Sequence, residues 1–494
     1  MTHQAAAGSA AEPFPPALRR SIGVIMIGST LSFLDSTIVN VALRSLSVSL
    51  HAPLAQVQWV VTGYLLALAA VIPVTGWAAR RVGPSRLYIA ALVVFTAGSA
   101  LCALSRGAGM LIACRVLQGA GGGAILPAGT IIWTSQASKA QLARVMSLIG
   151  IPVVLAPMLG PTLGGLLVQG LGWQAIFWLN VPLGVTGIIL GARLLPRARA
   201  SGGDAGPLDL AGLVLAAGGT ASLTYGLAQV GAEAGPDGAA IAALAAGTVL
   251  LAAFVLRSAR TTRPLLDVRL YASRAFTAAS VTSFSLGAAM FGGMILMPLY
   301  FQVVRGRDVI ATGLLLAPSG VGALLANRLA APMTDRLGAG ATALAGGLVS
   351  LAATIPFAFL GARTSYVLLC LAMVARGAGI GLSLMPAMTA AYRSLPPGKI
   401  ADATPQLNVL QRVGGSIGTA VFTVILTRQL AHAASPAAAA GAFGTTFAWV
   451  LAVTAIATAS ALLLVRAERQ ARSMPPATSP PPRKETSHGD HHRV

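Results

Sequence analysis

Two ionisable side chains inside long apolar stretches are the residues of this sequence best placed to do chemistry. Asp35 lies in an apolar run near the amino terminus, and Arg115 lies in another such run 80 residues later. At a helical rise of 1.5 Å per residue, both would lie roughly 10–12 Å below the same surface of a membrane. Charged groups inside a bilayer are costly and are usually paired and functional. We expect the Asp35 carboxylate and the Arg115 guanidinium to meet inside the protein.

Such a pair is suited to reversible proton binding. Burial favours the neutral acid, whereas a nearby guanidinium favours the carboxylate, and opposed effects of this kind can place protonation within the working pH range. We therefore predict that Asp35 carries a coupled proton and that Arg115 tunes or relays it. The alternative is a static ion pair that only fixes the contact between two helices.

The composition indicates which elements hold this pair. The mean hydropathy is +0.76, and charged residues make up 10% of the chain, against roughly 25% in soluble proteins. A helix needs about 20 apolar residues to cross a bilayer core. Fourteen such runs lie near residues 21–43, 57–79, 87–105, 108–132, 143–169, 175–195, 208–230, 239–256, 276–300, 311–333, 341–361, 366–391, 403–427 and 443–465. The sequence therefore predicts an all-α integral membrane protein.

The basic residues give the orientation of these spans. The chain has 34 Lys and Arg against 13 Asp and Glu, but the basic residues recur in short clusters between apolar runs, which argues against a nucleic-acid partner. With the amino terminus in the cytoplasm, 24 of the 34 fall in cytoplasmic segments and six in outer loops. This bias follows the positive-inside rule. We expect a monomer in the cell membrane with both termini in the cytoplasm.

Two parts of the chain look like copies of each other. A short basic loop with glycines follows the second span and again the tenth, and Arg115 and Arg376 each precede a glycine-rich run. Repeated bundles around a central site are typical of alternating-access transporters. The loop residues expected to gate the two copies are Gly76, Arg80, Arg81, Gly83, Asp335, Arg336 and Gly338.

The repeat divides the chain into two six-helix bundles with two inserted spans between them. The carboxy-terminal tail is rich in Pro and charge and is predicted to be disordered, with solvated histidines rather than a metal site. The predicted units are an amino-terminal tail at 1–20, a bundle at 21–195, a linker at 196–207, the inserted spans at 208–256, a linker at 257–275, a bundle at 276–465 and the tail at 466–494.

The fifth span contains an unusual run of proline and glycine. Proline removes backbone hydrogen bonds and bends a helix, while glycine lets another helix approach closely. The segment is predicted to act as a packed hinge or seal along the transport pathway, and ordinary small-residue packing is the alternative. Its residues are Pro157, Gly160, Pro161, Gly164 and Gly165.

Three of these stretches resemble signatures of the fourteen-span drug:proton antiporter family of the major facilitator superfamily. They are Leu34-Asp35-Ser-Thr-Ile-Val-Asn40, Arg115-Val-Leu-Gln118-Gly119 and Gly160-Pro161-Thr-Leu-Gly164-Gly165. The resemblance implies a major facilitator fold of 6 + 2 + 6 helices that exports drugs or antibiotics. It also implies a proton gradient as the energy source, with no cofactor. One departure is Arg80, which stands where the superfamily usually carries Asp, so an Asp-based latch is not expected in that loop.

The spans of the second bundle carry Arg but no acid, so a cation would meet a positive interior. We expect neutral or anionic lipophilic substrates. The side chains predicted to line the substrate cavity are Asn40, Tyr64, Gln118, Met294, Asn327, Arg376, Gln411 and Arg412.

Two other functions remain open at this point. A dedicated exporter of one metabolite or lipid would use the same mechanism with a narrower substrate range. A membrane-embedded enzyme is less consistent with the sequence, because such enzymes usually present clusters of Asp, Glu, His or Lys at the membrane edge. A phosphate-binding loop for ATP is also missing from the sequence. We expect a transporter and not an enzyme.

Overall fold

Long α-helices dominate the computed structural model, which describes residues 14–138, 141–196, 208–230, 238–262, 264–307, 309–396 and 399–473. A 3-10 turn at Ile72–Val74 joins the second helix to the third, and a π-helical turn at Tyr300–Val304 extends the tenth. The α-helices within these ranges are α1 (Pro16–Ser49), α2 (Leu54–Val71), α3 (Thr75–Val82), α4 (Pro84–Ala103), α5 (Ala108–Gln136), α6 (Leu142–Leu171), α7 (Gln174–Leu194), α8 (Leu210–Val230), α9 (Gly238–Arg260), α10 (Arg274–Leu299), α11 (Val309–Leu337), α12 (Ala339–Ala358), α13 (Tyr366–Arg393), α14 (Ile400–Leu430) and α15 (Pro436–Ser473).

These helices cross a membrane many times. Thirteen helical segments of the described residues are long and apolar enough to span a bilayer, with α2 and α3 forming one of them. The thirty-residue α6 connects opposite ends of the bundle, because Met146 near its start packs in the same buried cluster as Leu18, whereas Leu167 near its end packs beside Trp173. A helix of 30 residues is about 45 Å long and can cross the bilayer, so α6 supplies the fourteenth crossing.

Both ends of the helical bundle lie at one face. Leu18 at the start of α1 and Leu464 near the end of α15 belong to one buried cluster. We call this side the terminal face and the opposite side the distal face. Helices α1–α7 form the amino-terminal half, and α10–α15 form the carboxy-terminal half.

The two halves repeat the same close helix contacts. A side chain at Gly119 of α5 would collide with the backbone of α2 at Tyr64, and a side chain at Gly377 of α13 would collide with the backbone of α11 at Ser319. The two repeated loops also share a backbone conformation, because each joins consecutive helices through a glycine with positive φ, which is 89° at Gly83 and 97° at Gly338. Residues with a Cβ rarely adopt this conformation. The internal repeat of the sequence is therefore a repeat of helix packing.

The halves share a core at the terminal face and have separate cores at the distal face. The large terminal cluster joins Tyr88 and Met146 of the amino-terminal half to Phe276 and Met388 of the carboxy-terminal half. At the distal face, the described buried side chains form one cluster in each half. This distribution describes a molecule closed at its terminal face.

The inserted helices α8 and α9 form a hairpin beside the seam between the halves. A side chain at Gly247 of α9 would press on the backbone of α8 at Leu223, so the two helices pack closely. Helix α8 contacts α2 of one half and α14 of the other. The rings of Trp59 on α2 and Tyr225 on α8 stack with centroids 5.6 Å apart.

The helices extend into both predicted tails. The first helix begins at Pro16, within the segment assigned to the tail at 1–20, and the last runs from Pro436 to Ser473. The prediction of disorder from residue 466 was therefore wrong for residues 466–473. Helix α15 continues because its charged last turns are rich in helix-forming Arg, Ala, Glu and Gln, and Glu468 accepts a hydrogen bond of 3.0 Å from the Gly340 backbone N–H. The rest of the predicted tail, 474–494, lies outside the described residues.

Candidate functional site

The structure brings Asp35 of α1 and Arg115 of α5 together. Nη1 of Arg115 donates to Oδ2 of Asp35 at 2.6 Å, and both side chains are almost fully buried. The ion pair lies inside the amino-terminal half, shielded from bulk water and lipid. Burying two charges is costly because both lose their water, and removing one partner would leave the other charge buried and unpaired. Such a pair is therefore stable only when further hydrogen bonds satisfy its remaining polar atoms.

Neutral side chains from two more helices supply those hydrogen bonds. Gln118 donates to Oδ1 of Asp35 at 3.0 Å and accepts from Nη1 of Arg115 at 2.8 Å. Asn180 of α7 donates to the same Oδ1 at 2.9 Å and also contacts the Ser99 hydroxyl at 3.1 Å. The Asp35 carboxylate therefore accepts from three side chains on α5 and α7.

Arg115 is held by backbone and aromatic contacts as well. Its Nε donates to the carbonyl oxygen of Val60 at 3.1 Å. Its guanidinium lies 4.0 Å from the centroid of the Tyr64 ring, a favourable cation–π distance. Protonation of Asp35 would remove the negative partner and leave Arg115 with these weaker contacts. The arrangement therefore links the charge on Asp35 to the positions of α2 and α5.

Sequence reasoning missed two members of this network. Asn180 and Ser99 are neutral, so neither carries the charge penalty that marks a role in a membrane helix, and only the packing of α4 and α7 against α1 and α5 brings Asn180 to Asp35 and Ser99 to Asn180. The one available signal was the polar Asn180 in an otherwise apolar run. Tyr64 and Gln118, which were predicted to line the substrate cavity, belong to this buried network instead.

A cavity lies between the two halves near this network. Its lining includes Gln411 and Arg412 of α14, which are two of the residues expected at the substrate cavity, and also Asn408. The apolar part of the lining comes from both halves and consists of Phe33, Leu126, Met146, Phe291, Met385 and Met388. Aromatic and methionine side chains form an adaptable apolar wall, so this lining can adjust to apolar groups of varied shape.

The other predicted cavity residues lie apart from this lining. Arg376 is half-buried in the carboxy-terminal half and donates to the Ala289 carbonyl at 2.7 Å. Asn327 is buried on α11 with no hydrogen-bond partner for Nδ2 within the described part of the chain, and Met294 is half-buried on α10. The side chain of Asn40 lies outside the described residues.

The sequence matches a family profile over most of its length. The profile of the Major Facilitator Superfamily covers residues 25–419. The chain belongs to the Major Facilitator Superfamily. Members of this superfamily are transporters, which agrees with the repeated helix bundles and with the cavity between them. The protein is thus a multi-span membrane transporter for small molecules.

Curated superfamily members with substantial identity cover most of the chain. The multidrug resistance protein B homolog of Mycobacterium tuberculosis (strain ATCC 25618 / H37Rv) is 39% identical over 419 residues, which are 84% of this chain and 77% of that protein. The methylenomycin A resistance protein of Streptomyces coelicolor is 32% identical, over 82% of this chain and 85% of its own length.

Solved superfamily structures share the fold at low sequence identity. The proton:xylose symporter XylE superposes with a TM-score of 0.63 at 14% identity, covering 88% of this chain and 94% of that one. The human organic anion transporter MFSD10 superposes with a TM-score of 0.61 at 16% identity, covering 91% of this chain and 100% of that one. These similarities support the fold alone.

The proline and glycine segment of this superfamily member packs α6 against α1. A side chain at Gly160 would collide with Thr37, and one at Gly164 would lie 2.8 Å from Cγ1 of Ile38. Gly165 has no neighbour within 4 Å of an added Cβ. The side chains of Pro157 and Pro161 lie outside the described residues. Close packing on α1 places this segment one helix turn from Asp35.

The predicted gating loops of the transporter carry ion pairs at the terminal face. Arg80 at the end of α3 pairs with Asp402 at the start of α14 and so joins the two halves. In the second loop, Asp335 lies 3.5 Å from Arg393 of the same half. Arg81 and Arg336 are exposed, and Gly76 is buried. Asp402 of α14 thus pairs with Arg80, which occupies the position where the superfamily usually has Asp.

A further ion pair fixes the segment before α10 to α14. Lys399 donates to Asp267 at 2.6 Å, and Gln406 donates to the Asp267 carbonyl. Burial works to raise the pKa of Asp267, but hydrogen bonds from Lys399 and from the Arg269 backbone N–H outweigh it and hold that pKa below its ordinary value. The stabilisation by this pair is therefore complete near neutral pH and is lost as the pH falls through the lowered pKa.

Proposed function

We propose that the protein is a proton-driven antiporter that exports lipophilic neutral or anionic small molecules across the cell membrane by alternating access. The observation that supports it most directly is the buried Asp35–Arg115 pair, which lies beside the cavity between the halves. The names of the two relatives, which refer to multidrug and methylenomycin resistance, favour export of drugs or antibiotics. The energy source in this proposal is the proton gradient, without a cofactor.

The orientation follows from charge. The terminal face carries most of the basic loops, so we assign it and both termini to the cytoplasm. The conformation closed at the terminal face is then the one that faces outward. Asp35 is enclosed in this state, so in this scheme a local opening lets a proton from outside reach it and weaken its bond to Arg115, and rearrangement of α1 and α5 then lets the halves rock to the inward-facing state. The protein acts as a monomer in this scheme.

Proton-dependent uptake into inverted vesicles tests the proposal. The wild-type protein is expected to accumulate a lipophilic neutral or anionic compound only when the vesicle interior is acidic, and to stop when a protonophore collapses the gradient. Asp35→Asn keeps the shape and removes the ionisable group, so its gradient-driven uptake is expected to fall to the level of empty vesicles.

A second acid provides the matched control. Asp209 is almost fully buried but pairs with Arg257 near the terminal face, outside both bundles. Asp209→Asn is expected to transport nearly as well as the wild type. Full gradient-driven uptake by Asp35→Asn, with normal amounts in the membrane, would contradict proton coupling through Asp35.

A further inference from the structure

The cavity between the halves contains one formal charge, and it is positive. The described lining includes the Arg412 guanidinium and no Asp or Glu. Among the described residues, five ion pairs form, and Arg412 takes part in none of them. An uncompensated charge at this depth is costly, so its presence calls for an explanation other than packing.

Arg412 also differs from the other cations buried in this molecule. Arg115 is satisfied by Asp35, Gln118 and a backbone carbonyl, and Arg376 donates to the Ala289 carbonyl. Within the described part of the chain, no hydrogen bond is donated by Arg412. The cavity that Arg412 borders is also lined by Phe33 of α1 and Leu126 of α5, both in the opposite half. The guanidinium therefore lies at the seam between the halves, with its donors available to a ligand.

The rest of the lining suits the apolar part of such a ligand. Phe33 lies on the amino-terminal side of the cavity, while Phe291, Met385 and Met388 lie on the carboxy-terminal side. Gln411, next to Arg412 in the chain, adds an amide that can orient a polar group. Pockets of this kind bind an apolar body by area and fix its orientation with few polar contacts.

We propose that Arg412 binds the acidic group of the transported molecule, so that the cavity prefers lipophilic monoanions to neutral or cationic compounds of the same shape. This rests on the proposed transport function and narrows it from neutral or anionic compounds to anions held by one guanidinium. A charge-assisted contact to a carboxylate or sulfonate is stronger than the neutral contact that an uncharged analogue would make.

Equilibrium binding to the full chain in lipid nanodiscs tests the proposal without requiring transport. The probes are 1-anilinonaphthalene-8-sulfonate and N-phenyl-1-naphthylamine, which share the aromatic body and differ in the sulfonate. Binding to empty nanodiscs is subtracted. The wild type is expected to bind the sulfonate at least about tenfold more tightly than the amine, as for a hydrogen bond to a charged group.

Variants separate the charge of Arg412 from its packing. Arg412→Gln is expected to weaken sulfonate binding about tenfold or more while leaving binding of the neutral probe unchanged, which also shows that the variant is folded. Arg412→Lys is expected to retain part of the preference. Arg328→Gln is the matched control, because Arg328 is an exposed membrane-helix Arg on the same face of α11 as Leu325 and Leu329, and it should bind both probes like the wild type.

Two results would overturn the anion-binding role. One is equal binding of the two probes by the wild type, and the other is unchanged sulfonate binding by Arg412→Gln. Failure of the transport function gives a different pattern, in which the sulfonate preference depends on Arg412 but no compound is accumulated in vesicles under a proton gradient.

Discussion

Equivalent helices in the two halves carry different charged residues, and this difference suits the two halves to different roles. In the amino-terminal half, Asp35 accepts from Arg115, Gln118 and Asn180 and is closed off from solvent. In the carboxy-terminal half, Arg376 precedes the corresponding glycine run without a described acidic partner, and Arg412 borders the cavity. The first arrangement suits a group that gains and loses a proton, and the second suits the binding of an anion.

Asn180 should contribute to stability through its contact with Asp35. Asn180→Ala removes one of three side-chain donors to a buried carboxylate and one partner of Ser99, which we expect to cost about 1–3 kcal/mol of folding free energy. The midpoint of thermal unfolding in detergent, followed by intrinsic fluorescence, measures the loss.

A second buried asparagine makes the comparison specific. Asn327 is buried on α11, but its Nδ2 has no hydrogen-bond partner within the described residues. Asn327→Ala should therefore lower the unfolding midpoint less than Asn180→Ala. Equal losses for the two variants would mean that volume, and not the hydrogen bond to Asp35, determines the effect.

At the scale of elements, the contact between α1 and α6 depends on glycines of α6, which have no side chain. Helix α6 presents Gly160 and Gly164 to Thr37 and Ile38, within one turn of Asp35. Because glycine lets helix backbones approach closely, a shift of α6 changes the surroundings of α1 directly. This gives the proline and glycine segment a physical route to Asp35, in addition to its packing role.

Neighbouring glycines of this segment should respond differently to the same substitution. In Gly164→Ala the added methyl group would lie 2.8 Å from Ile38 Cγ1 and 3.0 Å from its carbonyl oxygen. We expect overpacking to cost about 1–3 kcal/mol and to slow transport in vesicles. Gly165→Ala meets no atom within 4 Å and should leave both the unfolding midpoint and the transport rate near wild type. The prediction fails when the two variants behave alike.

The elements were predictable from the sequence to the extent that they depend on local properties. Hydrophobic length predicted the membrane helices, and similar depth predicted the meeting of Asp35 and Arg115. The contact of Asn180 with Asp35 was not predictable, because a neutral amide carries no charge penalty and the packing of α7 on α1 is a tertiary feature. The extension of α15 was missed because its charged last turns resemble a solvated tail until Glu468 meets Gly340.

At the scale of the whole molecule, the two halves are joined at the terminal face and apart in their distal cores. The joint includes the packing of α6 against α11, the shared apolar cluster, the Arg80–Asp402 pair and α8, which touches both halves. The proposed alternating access requires this joint to open. Since α8 contacts α2 and α14, the inserted hairpin must keep or exchange one of these contacts when the halves rock.

The Arg80–Asp402 pair should bias the conformational equilibrium toward closure of the terminal face. Both side chains are partly exposed, so we expect a modest contribution of about 1 kcal/mol, or about a fivefold change in the ratio of closed to open molecules. Arg80→Asp and Asp402→Arg each place like charges together and should increase the open population by at least this factor, whereas the double variant restores an opposite-charge pair and should return it toward wild type.

Spin labels at Arg86 and Leu337, exposed positions on the two halves, would report the populations as distance distributions. Rescue by the double variant is the decisive result, because single substitutions that only damage the fold would add their effects instead of cancelling them.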